Sequence, residues 1–170
     1  MGAGREEEER FMENQSKRNK DLVSFATELF SKGYNCCQAC LAPFLGEMPS
    51  EEREHVMKMT SIMGGGMGRT GQTCGAITGS LMALGWTRGF SSGNDPDEKE
   101  RLYQLAQQWM RLFSREYAST TCPGLTGFDL SDPKQPELAN AAGVSELCKG
   151  IVQKWAQITQ FVLNSPNPIE

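Results

Sequence analysis

Met63-Gly64-Gly65-Gly66-Met67-Gly68-Arg69-Thr70-Gly71 runs straight into Gln72-Thr73-Cys74-Gly75-Ala76-Ile77-Thr78-Gly79. The first part is too rich in glycine for an ordinary helix or strand. The second predicts a helix over about 72–86, with Gly75, Gly79 and Ala83 four residues apart on one face. Each glycine costs such a helix roughly 1 kcal/mol of intrinsic helicity against Ala. A ridge of small residues offsets that cost only if another backbone packs against it closely, which places this helix centrally. The ridge would serve equally within one chain or between two, so a homodimer is one option.

Working outward, helical signals dominate on both sides. Leu22, Phe25, Ala26, Leu29 and Phe30 fall at helical spacing, and Gly33 supplies a left-handed stop. Asn35 and Gln38 have the spacing of a capping box, and Pro43 makes the helix they start short or kinked. Ser50 is read as the cap of a further helix, with Glu51 and Glu52 at its positive end and Val56, Met59, Thr60 and Met63 inward. Asp95-Pro96-Asp97-Glu98 opens a long helix whose inner face is Leu102, Leu105, Ala106, Trp109, Leu112, Phe113 and Tyr117. A loop with Pro133 and Pro136 follows Cys122. A last helix runs from about 144 to 163 with Val144, Leu147, Ile151, Trp155, Ile158 and Val162 inward. No stretch alternates as a strand would. The expectation is an all-α, single-domain bundle of five to six helices over 21–165, with a Gly-rich loop before the central helix and a polar extension over 1–20.

Composition narrows the function. The 17 basic and 21 acidic residues leave a formal charge of −4, and no basic run favours nucleic acid or an anionic membrane. No apolar stretch approaches a membrane span, and the charged start does not read as a signal peptide. The expected address is the cytoplasm, where thiols stay reduced. Six cysteines in such a setting point to metal binding or redox chemistry rather than structural disulfides.

Cys36, Cys74, Cys122 and Cys148 come from four separate segments. Cys36 and Cys74 fall in the first turns of helices, where free N–H groups and the helix dipole favour a thiolate. Cys122 lies where a long helix gives way to a loop, and Cys148 lies on the inward stripe of the last helix. A bundle can bring all four together. Cys37 and Cys40 form a lone Cys-x-x-Cys without a second pair, and packing is the better reading for them.

Cys74-Gly75-Ala76-Ile77-Thr78-Gly79 matches the CGAxxG signature of the C_GCAxxG_C_C family of redox proteins. Gly33-Tyr34-Asn35-Cys36 resembles that family's first cysteine block, the glycine run 64–68 leads into the signature as it does there, and Cys122 and Cys148 fall as third and fourth cysteines. The resemblance covers roughly residues 22 to 160. It implies a small redox protein with four functional cysteines; a similar domain on split-Soret cytochromes is thought to hold an iron–sulfur cluster. The acidic extension, Cys37, Cys40 and Pro43 depart from the pattern.

Three functions are therefore expected in turn. The first is electron transfer through a [2Fe–2S] or [4Fe–4S] cluster on Cys36, Cys74, Cys122 and Cys148, with an unknown redox partner protein. The second is thiol–disulfide exchange with Cys36 or Cys74 as nucleophile. The third is a structural or storage zinc site. The glycine loop, through Gly65, Gly66, Gly68 and Arg69, is expected to approach the cysteine site and offer donors to sulfur or an anion. Its Gly-x-Gly-x-x-Gly pattern lacks the preceding strand and following acid of a dinucleotide site. His55, the only histidine, lies in a polar stretch and reads as a surface residue. The methionines read as core filling rather than copper ligands.

Overall fold

The structure is a computed structural model, and it describes residues 21–46 and 48–165. The polar extension expected over 1–20 lies outside the described residues. The described residues are helical with no strand, as the periodicities required, but the helices outnumber the five to six expected. They are α1 (21–31), α2 (Cys36–Leu41), α3 (Ser50–Thr60), α4 (Gly64–Met67), α5 (Gly75–Arg88), α6 (Pro96–Glu116), α7 (Cys122–Thr126), α8 (Gln135–Ala141) and α9 (Val144–Asn164). The additional pieces are short. α4 lies within the glycine run and is a left-handed turn, with positive φ at Gly65, Gly66 and Met67; α7 and α8 occupy what was read as a loop.

α5 is central. It packs on α2 along one side and α9 along another. A Cβ at Gly75 would lie 2.4 Å from Cys36 Sγ, and one at Gly79 would lie 2.3 Å from the Cys37 carbonyl oxygen. Ala83, fully buried, continues the same ridge against Leu41 and Leu45. The small residues are thus used within the chain, to seat α2 against α5.

Asn35 makes the capping box its spacing predicted. Its Oδ1 accepts from the N–H groups of Cys37 (2.9 Å) and Gln38 (3.0 Å), and its own N–H donates to Gln38 Oε1 (3.1 Å). Its Nδ2 donates to the carbonyls of Thr60 and Ser61, which ties the start of α2 to the end of α3. Pro43 ends α2 early, and the chain continues as a tighter turn over Ala42–Phe44. Asp95 caps α6 through the N–H of Glu98 at 2.9 Å.

Several expectations are corrected. Ser50 does not cap α3: Pro49 takes the extended cap position, and Ser50, one residue inside, makes no capping bond. The α5 helix begins at Gly75, with Cys74 as its cap residue, and runs to Arg88. Phe25, Met59 and Leu147 are exposed at 40%, 68% and 45%; Val23 and Met57 pack against the core from α1 and α3. Which positions are buried is set by the neighbours each helix packs against, since tertiary packing of one face supplies most helical stability.

α6 and α9 are joined by an aromatic cluster. Five ring pairs among Trp109, Phe113, Tyr117 and Trp155 have centroids 4.4–5.7 Å apart, a range in which tilted and offset pairs add to simple burial. Trp109 Nε1 donates to Thr159 Oγ1 at 3.0 Å, so the buried indole is satisfied. No helix among the described residues is long and apolar enough to cross a membrane.

Candidate functional site

Gly65, Gly66, Met67, Gly68 and Arg69 all have positive φ, between 57° and 71°. Five such residues in a row wind the backbone once in the left-handed sense. The Gly68 and Arg69 N–H groups close the turn onto the Gly64 carbonyl at 2.9 and 3.4 Å, and Thr70 Oγ1 donates to the Gly66 and Met67 carbonyls. Glycine accepts this conformation freely; Met67 and Arg69 do so at roughly 1–2 kcal/mol each. The tight wrap also demands small residues for space. A Cβ on Gly66 would lie 2.5 Å from the Gln72 carbonyl oxygen and 2.8 Å from Cys122 Cβ.

The turn lies against the cysteines. A cavity of about 490 Å³ is lined by Cys36, Cys74, Cys122 and Cys148, by Gly64, Gly65, Gly68 and Arg69, and by an apolar wall that includes Phe30, Leu130 and Ile151. Arg69 is the one formally charged side chain of that lining besides the thiols. Gly66 is buried and abuts Cys122 without facing the cavity. Three of the four cysteines stand at helix starts: Cys36 is first in α2, Cys74 caps α5, and Cys122 is first in α7. Cys148 is in the second turn of α9.

A short antiparallel bridge holds two of the segments together. The Cys74 N–H donates to the Thr120 carbonyl at 2.8 Å, and the Cys122 N–H donates to the Gln72 carbonyl at 2.9 Å, around the paired residues Thr73 and Thr121. α7 was missed in the sequence, although the signal was there. Thr121 caps it through the Gly124 N–H at 3.2 Å, Pro123 sits at its second position, and a Cβ on Gly124 would meet Ser119 Oγ at 2.0 Å.

Electrostatics separates the thiols. Cys36 is brought down from 9.0 to about 6: the Cys74 thiol donates to its sulfur, and the backbone N–H groups of Gly65, Gly75 and Cys36 itself assist, against the opposing effect of burial. Cys74 moves up, because its proton is committed to Cys36 and because it is buried near that negative charge. Cys122 is raised by burial and by Cys36. Burial, then Cys36 and Cys122, push Cys148 up to about 12. The surroundings thus favour the thiolate at Cys36 and the thiol at Cys74, Cys122 and Cys148.

Cys37 and Cys40 are elsewhere. Both are fully buried. Cys37 Sγ lies 3.9 Å from Met82 Sδ, and Cys40 Sγ lies 3.9 Å from the Val152 carbonyl oxygen. Burial is the leading cause that raises each of them. His55 is exposed on α3 and is not part of the cavity lining. Among the described residues, no three of His, Cys, Asp and Glu are grouped so that they could hold one metal ion.

A family model with the description "Putative redox-active protein (C_GCAxxG_C_C)" matches residues 34–162. No curated protein and no solved structure matches the chain.

Proposed function

The chain belongs to the C_GCAxxG_C_C family of redox-active proteins, and on that premise we propose that Cys36, Cys74, Cys122 and Cys148 hold an iron–sulfur cluster for electron transfer. The observation that carries this reading is the sorting of the cysteines. Four of the six, from four separate segments, line one cavity, while Cys37 and Cys40 are turned into the core. Packing alone gives no reason for such a division.

The donor set fits the group. Four thiolates are the usual complement for a [2Fe–2S] or [4Fe–4S] centre. Zinc fits less well, because a single ion needs every sulfur about 2.3 Å from one point and, among the described residues, no three of His, Cys, Asp and Glu are grouped to hold one ion. A polynuclear cluster accepts ligands spread around a cavity. Bound, it would supply one-electron redox chemistry. The chain's own residues would do the rest. Cys36 is the first thiolate available, and Cys74, Cys122 and Cys148 must each lose a proton on loading, so loading is favoured as pH rises. The Gly65 and Gly75 N–H groups donate to the Cys36 sulfur, the kind of contact that tunes a ligand. Arg69 sets a positive charge at the cavity. Electrons would pass to and from a partner redox protein.

A specific observation favours a second reading, thiol–disulfide exchange. Cys36 is a thiolate hydrogen-bonded by the Cys74 thiol. The Cys36 thiolate would attack a substrate disulfide, expelling one substrate thiolate and forming a mixed disulfide. Cys74, giving up its proton, would then attack Cys36 Sγ and release the second substrate thiol. The substrate gains two electrons and the protein closes a Cys36–Cys74 disulfide.

Anaerobic reconstitution with iron and sulfide, read by visible absorption and by iron and sulfide analysis, tests the leading reading. Charge-transfer bands and stoichiometric iron are expected in the wild type and are lost in Cys122→Ser and Cys148→Ser. A colourless, iron-free product overturns it. Exchange with a disulfide substrate that survives both substitutions and is lost in Cys36→Ser or Cys74→Ser establishes the second reading instead.

A further inference from the structure

A second cavity, of about 460 Å³, shares no lining residue with the cysteine cavity and opens between the last turn of α5, α6 and the end of α9. Leu102, Leu105, Val162 and Leu163 make it apolar. Arg88, Arg101 and Glu98 bring two positive charges and one negative, a net of +1. Gln108 also lines it and is only 4% exposed, and its Nε2 is buried with no hydrogen-bond partner.

That amide is the informative group. A buried donor left unpaired costs about 1–3 kcal/mol, so native folds keep few of them; of the three such atoms among the described residues, Gln108 Nε2, Ser80 Oγ and Trp155 Nε1, only that of Gln108 belongs to a residue lining either cavity. A leucine would pack in its place at no such cost. The nearby guanidiniums point the same way. Arg88 donates to the Leu163 carbonyl at 3.0 Å and has further N–H groups, and both arginines are exposed at the rim.

We propose that this cavity binds a small monocarboxylate with an apolar tail. The carboxylate accepts from Arg88 and Arg101, for which a planar two-oxygen anion is the natural partner. The terminal torsion of Gln108 is soft, and its rotation brings the amide N–H groups to the same oxygens. The tail covers Leu102, Leu105 and Leu163. Glu98 beside the arginines leaves charge for one negative group and disfavours a dianion. The volume lies in the range of small-molecule sites. The proposal is independent of the cysteine chemistry.

Octanoate is the probe, with acetate and octanol as controls, followed by amide and side-chain NMR on the full chain. Saturable shifts are expected at Gln108, Leu105 and Leu163 with a Kd on the order of 1 mM or tighter. Acetate lacks the tail and octanol lacks the charge, and each should bind about tenfold more weakly or worse. Arg88→Gln with Arg101→Gln, both at exposed positions, should weaken octanoate by about tenfold without changing the fold. The Gln108→Leu variant should fold as well as the wild type and lose affinity. Absence of saturable shifts, equal binding of octanol, or unchanged affinity in the arginine pair overturns the proposal.

Discussion

Cys36 and Cys37 are neighbours in sequence and opposites in chemistry. One helical step separates their side chains. Cys36 faces the cavity, receives hydrogen bonds from the Cys74 thiol and from three backbone N–H groups, and is brought down to about 6. Cys37 faces the core, lies by Met82, and is pushed up to about 11. Both sit in the first turn of one helix, so the helix dipole is common to them. What differs is the set of donors aimed at each sulfur and the water each has lost. Position at a helix start is therefore a weak guide to thiol reactivity; the facing segments decide it.

The largest expected effect is kinetic. At pH 7 Cys36 should alkylate with iodoacetamide on the order of 10²-fold faster than Cys37, since its far larger thiolate fraction outweighs the lower nucleophilicity of a low-pKa thiolate. Peptide mapping after partial reaction reads this directly, and comparable labelling of the two would erase the contrast. The rate at Cys36 should rise through about pH 6 and level off above it.

Next comes the seat shared by both residues. A Cβ at position 79 meets the Cys37 carbonyl oxygen at 2.3 Å, so Gly79→Ala should force α2 away from α5 and destabilise the fold by about 1–3 kcal/mol despite its better helix propensity. Denaturant titration measures it. A neutral or stabilising result would mean that the two helices are not held as described.

Removing the main donor sharpens the comparison. Cys74→Ala should move the pH profile of Cys36 alkylation upward, toward its ordinary range, and leave that of Cys37 high. Stability carries the same signature. The pKa of Cys36 is depressed on folding, so its contribution is fully present above about pH 9 and is lost as pH falls toward 6. The pKa of Cys37 is raised, so its contribution is present below about pH 9 and is lost as pH climbs toward 11. The difference between wild type and Cys36→Ser should grow from pH 6 to 9, whereas Cys37→Ser should show its change above 9.

The smallest effect concerns the turn that donates to Cys36. Met67 holds φ at +57°, so Met67→Gly should relieve strain and raise stability by a net of about 0.5–1 kcal/mol after the greater freedom of glycine in the unfolded chain is counted. Thermal unfolding checks it.

Much of this was legible in advance. The Asn35 capping box, the Asp95-Pro96 start and the Gly75/Gly79 ridge are local signals with local causes, and each produced the expected structure. The choice of Cys36, Cys74, Cys122 and Cys148 as one set came from the family resemblance and from the helix starts; the structure lines one cavity with them, and their joining at a common centre stays part of the proposal. Less legible was anything set by tertiary contact. The outward turn of Phe25, Met59 and Leu147 depends on which neighbours each helix meets. α7 is only five residues long, held by a threonine cap and a bridge to the segment before Cys74, and periodicity has no purchase on so short a piece. The handedness of the glycine turn could not be read from composition either, because methionine and arginine at 67 and 69 argue locally against it.

That handedness has a stereochemical corollary. The φ, ψ region held by Gly65–Arg69 is the one that mirror-image amino acids prefer. In a chain assembled by chemical ligation, D-alanine at position 68 would suit the backbone that L-alanine strains, whereas the same D residue in α5 would unwind it. One loop of this protein thus follows the torsional preferences of the opposite enantiomer, and it is the loop whose Gly65 amide reaches the most acidic sulfur.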